Sequence, residues 1–114
     1  MDDLLKKKVS HLTEDKKLLD QSSVNTYLQS LAGWSIRKID EEEALHKSFK
    51  LKDFSSSIEF AKKICDIANS NDHHPRLVVN WGKLDVYWWS HDMGGINTND
   101  IIMAAQTENI YNKT

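Results

Sequence analysis

The only proline of this chain, Pro75, separates a stretch with helical periodicity from a stretch with strand alternation. Proline lacks a backbone N–H and disfavours the helical conformation in the residue before it. Because Asn69-Ser70-Asn71 is turn-forming sequence, we expect a helix to end there and a strand to begin after Pro75. The face of that helix is defined by apolar residues: Ile58, Ala61, Ile64, Cys65 and Ala68. The chain must therefore place His73-His74 at a helix-to-strand junction.

The remaining pattern predicts two more helices and two hairpins. Thr13 is a candidate N-cap with apolar residues at helical spacing behind it, so we expect a first helix over 14–32 that Gly33 ends. Asn97, with Asp100 three residues on, has the spacing of a capping box and begins the last helix. Alternating apolar residues predict four strands. They lie near 34–37, 45–51, 77–81 and 84–90.

The element order is therefore α-β-β-α-β-β-α. It predicts an α+β fold, a four-stranded antiparallel sheet with three helices packed on one face. A chain of 114 residues has room for one core, so we divide it into a flexible N-terminal segment, 1–12, and a single domain, 13–114. Three helices cannot cover both sheet faces, and Tyr87 and Trp89 on the uncovered face favour self-association.

The composition of the chain argues against several classes of function and location. The formal net charge of −2 gives no electrostatic reason to expect nucleic acid or an anionic membrane as a partner. No apolar run has the length of a signal peptide or a membrane span. The single cysteine, Cys65, fits a reducing compartment. We therefore predict a cytoplasmic location.

Three histidines carry the predicted chemistry. His73 and His74 precede Pro75, and His91 follows the last predicted strand. Imidazole has an ordinary pKa of about 6.5, so it both gives and takes protons near neutral pH. If the fold brings the three rings to one pocket, the site is suited to acid–base catalysis. The two remaining histidines are expected to be structural or solvated, the second of them on an exposed strand face: His11 and His46.

The spacing of these residues extends to a longer pattern. It comprises His73-His74-Pro75, Trp81, Ser90-His91, Gly95-Ile96 and Asp100, with Gly33-Trp34 and 49–54 upstream. This pattern resembles the signature of the pterin-4a-carbinolamine dehydratases, and the resemblance runs from about Leu12 to Glu108. We therefore identify 13–114 as a domain of this type. The resemblance implies the same α+β arrangement and assembly into homodimers or homotetramers.

The resemblance also implies a reaction. A 4a-hydroxytetrahydropterin loses its hydroxyl as water and a proton from N5, which gives a quinonoid dihydropterin. Such a reaction needs an acid and a base but no metal, redox cofactor or covalent nucleophile, so we expect no cofactor. The product belongs to tetrahydrobiopterin recycling, which implies a link to an aromatic amino-acid hydroxylase.

The resemblance assigns roles to individual residues. His73 and His91 are implied to transfer protons, and His74 is implied to contact the pterin and shape the pocket. Further implied substrate-binding residues are Asp72, Trp34, Trp81, Ser90 and Asp100. The residue types leave other roles open, since Asp72 can close the loop, Asp100 can cap a helix and the tryptophans can belong to the core.

One position departs from the family pattern. Asn69 stands four residues before His73, where the family usually carries an acidic or otherwise charged residue. If that residue tunes a histidine or holds its ring, this chain is expected to turn over slowly. Ser90 replaces a threonine often found before the third histidine and keeps the hydroxyl.

Three other functions stay open at this point. The chain can be a non-catalytic dimerisation or regulatory module, although its three histidines argue against a purely structural role. It can act on another pterin-like compound, as in molybdopterin metabolism. Three neutral imidazoles can also hold zinc, but adjacent histidines on an extended chain point to opposite sides, which makes joint chelation awkward.

Overall fold

Four antiparallel strands form one sheet in the structure, a computed structural model that describes all residues from 1 to 114. In chain order the elements are α1 (Asp2–Leu5), a 3-10 turn (Thr13–Asp15), α2 (Gln21–Leu28), β1 (Ser35–Ile39), β2 (Glu42–Lys50), α3 (Phe54–Asn71), β3 (Arg76–Asn80), β4 (Lys83–Trp88) and α4 (Thr98–Asn112). The strands lie in the order β1-β2-β4-β3. The predicted α+β class is thereby confirmed.

One face of the sheet carries the core. Side chains alternate along β2 and β4, so every second residue faces the helices. The buried residues of this face are Leu45, Phe49, Leu84, Val86 and Trp88. The indole N–H of Trp88 donates to the Thr107 hydroxyl of α4 at 3.0 Å, which ties the sheet to the helix that covers it.

The first helix is shorter than the prediction of 14–32. The chain instead forms the 3-10 turn, an extended stretch and then α2. The carboxylate of Asp20 caps α2 by accepting from the Ser23 N–H at 2.7 Å. The Leu19 N–H donates to the Ile96 carbonyl at 2.9 Å, so a long-range backbone hydrogen bond holds the stretch before α2 in an extended conformation.

The N-terminal residues, 1–12, make contacts with the rest of the chain. Leu4 of α1 lies in the core with 5% of its surface exposed. The side chain of Asn99 makes two hydrogen bonds with the backbone of Ser10. The apolar face of this segment is thus buried against α4, and the segment is tied down again at residue 10.

The junction at Pro75 forms as predicted. The helix α3 ends where Asp72 adopts a left-handed conformation with φ of 48°, and the His73 N–H donates to the Ala68 carbonyl at 3.2 Å. Pro75 then leads directly into β3. This left-handed turn reverses the chain and fixes where His73 leaves the end of α3.

A tight loop joins β4 to α4. Ser90 and Gly95 pair across it, and Gly94 adopts a φ of +74°, which favours glycine. Asn97 and Asp100 form the predicted capping box. The Asn97 side chain accepts from the Asn99 N–H, and the Asp100 side chain accepts from the Asn97 N–H. The loop and the cap together bring residues 90 and 100 within reach of His73.

Of the four helices, none combines the length and the apolar character that crossing a bilayer requires.

Candidate active site

His73 lies between the sheet and the start of α4. Its ring stacks on the Trp88 indole, with 5.8 Å between ring centroids and 10° between planes. Its Nε2 lies 2.6 Å from Oδ1 of Asp100. Only 12% of the His73 side chain is exposed. The ring is therefore held by packing on one side and by a carboxylate on its edge.

Asp100 is fully buried, and three donors satisfy its oxygens. Besides His73, the Ser90 hydroxyl donates to Oδ2 at 2.8 Å and the Asn97 backbone N–H donates to the same oxygen at 2.9 Å. The capping role that residue type alone suggests for Asp100 is therefore present. The same carboxylate also binds the first histidine of the predicted site.

The hydrogen bond to Asp100 decides the tautomer of His73. A carboxylate only accepts, so the proton of the neutral ring lies on Nε2 and the lone pair lies on Nδ1. Nδ1 has no hydrogen-bond partner, yet no fully buried side-chain nitrogen or oxygen of the chain lacks one. Nδ1 is therefore accessible, and it is the atom of His73 that can take a proton.

His74 points away from this network. Its Nε2 lies 3.1 Å from the amide oxygen of Asn69, at an exposed position on α3. Asn69, the position that departs from the family pattern, is thus a hydrogen-bond partner of the second histidine. An amide oxygen fixes the ring as a carboxylate would, but it brings no charge to stabilise a protonated imidazole.

His91 belongs to a second network. Its Nδ1 lies 3.2 Å from Oε1 of Glu42, and the Trp89 indole N–H donates to the same oxygen at 3.0 Å. The His91 side chain is 84% exposed, so its other nitrogen faces solvent. Although residue 91 directly follows Ser90, its ring is held by β2 and not by Asp100.

A cavity of about 160 Å³ lies beside His73. It is lined by Ser10, His11, Lys16, Asp72, His73, Ser90, Asp92, Met93 and Asn99. His74 and His91 are not among these residues. The structure thus brings His73, Asp72 and Ser90 to one cavity and leaves the other two predicted catalytic histidines on neighbouring surfaces.

The two predicted aromatic walls lie elsewhere. Trp34 is buried in the core, where its indole N–H donates to Glu108 at 3.0 Å. Trp81 is 73% exposed, at the turn between β3 and β4. Neither residue lines the cavity beside His73.

His11 is solvated and His46 is structural, as expected, but His46 does not lie on an exposed strand face. His11 is exposed but lines the cavity, and its Nε2 lies 2.8 Å from the Asn71 carbonyl. His46 is not exposed on its strand face, because Asp85 holds its Nε2 at 2.9 Å and Tyr87 packs on its ring. Only 8% of His46 is exposed, so it belongs to the structure of the sheet.

Sequence reasoning missed three neighbours of the histidines. Trp88 supports the His73 ring, Glu42 holds His91, and His11 enters the cavity. Strand parity places Trp88 on the core face, but no spacing connects it to residue 73. Glu42 and His11 lie 49 and 62 positions from their site partners, His91 and His73, in the sequence, so only the folded chain brings them together.

The three histidines share no arrangement that could chelate one ion. Nowhere in the chain do three or more His, Cys, Asp or Glu side chains come together as a metal-binding group. The zinc alternative from the sequence thus lacks a ligand set.

The fold has a solved counterpart among the dehydratases. A crystal structure described as a transcriptional coactivator/pterin dehydratase from Brucella melitensis matches with a TM-score of 0.74 and 35% sequence identity. The match covers 82% of this chain and 98% of the other. At 35% identity the two chains are similar in sequence as well as in fold.

The family model for pterin 4 alpha carbinolamine dehydratase matches residues 17–110. The chain therefore belongs to the pterin 4 alpha carbinolamine dehydratase family, a family of hydro-lyases.

Two relatives show the extent of the similarity. A Marinobacter nauticus protein named "Putative pterin-4-alpha-carbinolamine dehydratase" is 34% identical over 111 residues, 97% of this chain and 100% of that protein. The Arabidopsis thaliana protein "Pterin-4-alpha-carbinolamine dehydratase 2, mitochondrial" is 34% identical over 102 residues, 89% of this chain and 54% of that protein. Since that relative is named as mitochondrial, the cytoplasmic location of this chain stays a prediction.

Proposed function

We propose that this chain dehydrates a 4a-hydroxytetrahydropterin to the quinonoid dihydropterin by histidine acid–base catalysis. The observation that carries the proposal is the His73 ring, held by the buried Asp100 carboxylate with its second nitrogen accessible. Membership of the dehydratase family supplies the substrate class.

In this proposal His73 is the base. Its Nδ1 takes the proton from N5, and the electrons of that N–H bond form the double bond between N5 and carbon 4a. Asp100 stabilises the imidazolium that results, because a carboxylate in hydrogen-bond contact favours the charged ring.

His91 is the proposed acid. In its protonated form it gives a proton to the 4a-hydroxyl, and the bond between carbon 4a and oxygen breaks to release water. One proton is taken and one is given, so exchange with solvent restores both imidazoles. The exposure of His91 and its position next to Ser90 support this role.

The contacts of the remaining predicted site residues suggest a different role for each. We propose that Asp72, which lines the cavity, contacts pterin N–H groups and that His74 contacts the ring from outside the cavity. Ser90 acts through Asp100, as a positioning residue for His73. Trp34 and Trp81 lie away from the cavity and are not proposed to contact substrate.

A stopped-flow assay with freshly made carbinolamine tests the proposal. The variant His73→Ala is expected to lose about 10²–10⁴-fold in rate over the spontaneous background, the usual worth of general acid–base help. Trp81→Ala is the control, because this exposed residue lies outside the cavity, and it should keep the wild-type rate. A wild-type protein that does not exceed the spontaneous rate would refute the function.

The proposed reaction places the chain in tetrahydrobiopterin recycling. An aromatic amino-acid hydroxylase is the class of enzyme that makes the carbinolamine, and a reductase would consume the quinonoid product. A hydroxylase assay in which added chain speeds turnover of the pterin would support this placement.

We also propose that the chain forms a homodimer or homotetramer. The sheet face opposite the helices carries the half-buried Tyr87 and Trp89, and α3 exposes Phe54 and Ile58 to about half of their surface. Exposed apolar groups in this number on a small domain favour association.

A second candidate function is a non-catalytic regulatory module. It is favoured by the Brucella melitensis counterpart, which is described as a transcriptional coactivator as well as a pterin dehydratase. It predicts partner binding that survives His73→Ala unchanged.

A further inference from the structure

One wall of the cavity beside His73 comes from a segment outside the helices and strands of the core. Residues 10–17, here called the strap, run across the cavity between α1 and α2. Ser10, His11 and Lys16 of the strap line the cavity. The strap therefore brings side chains to the site that the three-histidine pattern does not contain.

The start of α4 fixes the first end of the strap. The Ser10 N–H donates to the Asn99 side-chain oxygen at 3.0 Å, and the Asn99 amide donates back to the Ser10 carbonyl at 2.8 Å. Asn99 is 7% exposed, so these bonds are shielded from water. The residue next to Ser10 in the chain is His11, whose backbone is thereby set at the cavity edge.

Asn97, the N-cap of α4, fixes the second end of the strap. The Asn97 amide donates to the Asp15 carbonyl at 3.1 Å and to the Lys17 carbonyl at 2.6 Å. Asn97 also donates its backbone N–H to Asp100, the carboxylate that holds His73. One helix turn thus positions both the strap and the proposed base.

Two side-chain contacts close the strap over the cavity. Nε2 of His11 lies 2.8 Å from the Asn71 carbonyl, and the Lys16 ammonium lies 3.7 Å from Asp92. A carbonyl only accepts, so the His11 proton lies on Nε2 and its Nδ1 carries a lone pair. The ring contact of His11 uses Nε2, and His11 is exposed, so its Nδ1 is open to a ligand.

Three residues that line the cavity can accept hydrogen bonds. His11 and His73 each have an unprotonated Nδ1 in the neutral ring, and Asp72 adds a carboxylate. A reduced pterin carries N–H donors at its amino group and at its ring nitrogens. A ring that enters this cavity meets an acceptor array that matches its donors.

We propose that His11 is a further substrate-contacting residue of the site, whose Nδ1 accepts a hydrogen bond from an N–H of the reduced pterin. This inference rests on the proposed function. The contact is a binding contact, since the proton transfers belong to His73 and His91. His11 thus acts on substrate affinity, and its loss leaves the chemical step in place.

Kinetics separate this role from catalysis. His11→Ala is expected to raise KM about 3- to 10-fold, the worth of one neutral hydrogen bond, with kcat within about twofold of wild type. Glu14→Ala is the matched control, because Glu14 lies exposed on the same strap and its side chain does not line the cavity. It should change neither constant. An unchanged KM in His11→Ala overturns the inference.

NMR of the ring nitrogens distinguishes a His11 that contacts substrate from a His11 that only holds the strap in place. In wild type, a stable 7,8-dihydropterin should shift the ¹⁵N signal of His11 Nδ1, assigned as the signal missing in His11→Ala. If KM rises but Nδ1 does not move at saturation, His11 only holds the strap to Asn71 and the inference fails. If wild-type protein neither turns over the carbinolamine nor binds the dihydropterin, the proposed function itself fails.

Discussion

The carboxylate of Asp100 joins a helix cap to a histidine. It accepts the Asn97 N–H that begins α4, the Ser90 hydroxyl and the His73 ring. Capping predicted one of these bonds from spacing alone. The other two depend on where the loop before α4 and the end of α3 meet, which no local pattern encodes.

Replacement of this carboxylate by an amide tests its role. Asp100→Asn can still accept at the cap, but it no longer stabilises a protonated His73, so we expect kcat to fall by about 10²-fold, the lower end for acid–base help. Stopped-flow rates across pH measure the effect. Wild-type kcat with an unchanged pH profile would contradict the role.

The stability of the sheet depends on pH through Asp85, the hydrogen-bond partner of His46. Burial raises the pKa of Asp85, but the His46 hydrogen bond, with Ser48 and Lys83, lowers it more, so its pKa lies below the ordinary 3.8. A depressed folded pKa contributes stability that is complete above the ordinary value and is lost as pH falls through the folded value.

Asp85→Asn is therefore expected to lower the free energy of unfolding at neutral pH and to flatten its decline below pH 3.8. Urea unfolding at pH 7 and at acid pH measures both effects. Asp20 and Asp53, whose pKa values are also lowered by their cap hydrogen bonds to Ser23 and Ser56, keep their acid sensitivity in the variant. If the free energy of unfolding of the variant falls with pH as steeply as that of wild type, the His46–Asp85 pair does not contribute this stability.

At the level of elements, the sheet and α4 follow from sequence because their signals are local. Strand alternation fixed the burial of Leu45 and Phe49, and the Asn97–Asp100 spacing marked the start of α4. The prediction of a helix over 14–20 was wrong because Thr13 is not a helix N-cap and the periodic apolar residues begin only at Val24. The Leu19 N–H instead bonds to the distant Ile96 carbonyl. Periodicity carries no information about such a contact.

The candidate site was predictable only in part for the same reason. The sequence placed His73 at the junction that Pro75 creates, but the rings of His74 and His91 take partners, Asn69 and Glu42, that decide their directions. Adjacent residues of an extended chain alternate sides, so a pair of histidines could not be assigned to one cavity from sequence.

The loop before α4 contains a glycine in a left-handed conformation. Gly94 has φ of +74°, and a Cβ there would meet Glu42 only at an ordinary 3.5 Å, so the cost of a side chain is backbone strain. Gly94→Ala is expected to lower the free energy of unfolding by about 1 kcal/mol. Urea denaturation measures it, and an unchanged midpoint would show that the loop relaxes without strain.

The whole molecule is small, and its helices leave one sheet face open. On the other side, α3 presents Phe54 and Ile58 outward, 48% and 46% exposed, where a soluble helix would carry polar groups. These two surfaces are distinct, so an assembly can use both and exceed a dimer.

Sedimentation velocity tests the assembly. Wild type should sediment as a dimer or tetramer, and Ile58→Glu should shift it to a smaller species, because a charge on an apolar contact is costly to bury. Lys63→Glu, a charge change at an exposed position of the same helix, is the control. A monomeric wild type would contradict the proposed assembly.

The proposed function requires His73 to transfer a proton, and chemical rescue of a His73 deletion measures whether it does. In single-turnover stopped-flow, His73→Ala should lose about 10²–10⁴-fold in dehydration rate. Added imidazole, which can occupy the vacated position beside Asp100, should restore the rate in proportion to its concentration. If His73→Ala dehydrates the carbinolamine at the wild-type rate without imidazole, His73 is not the proton-transfer group.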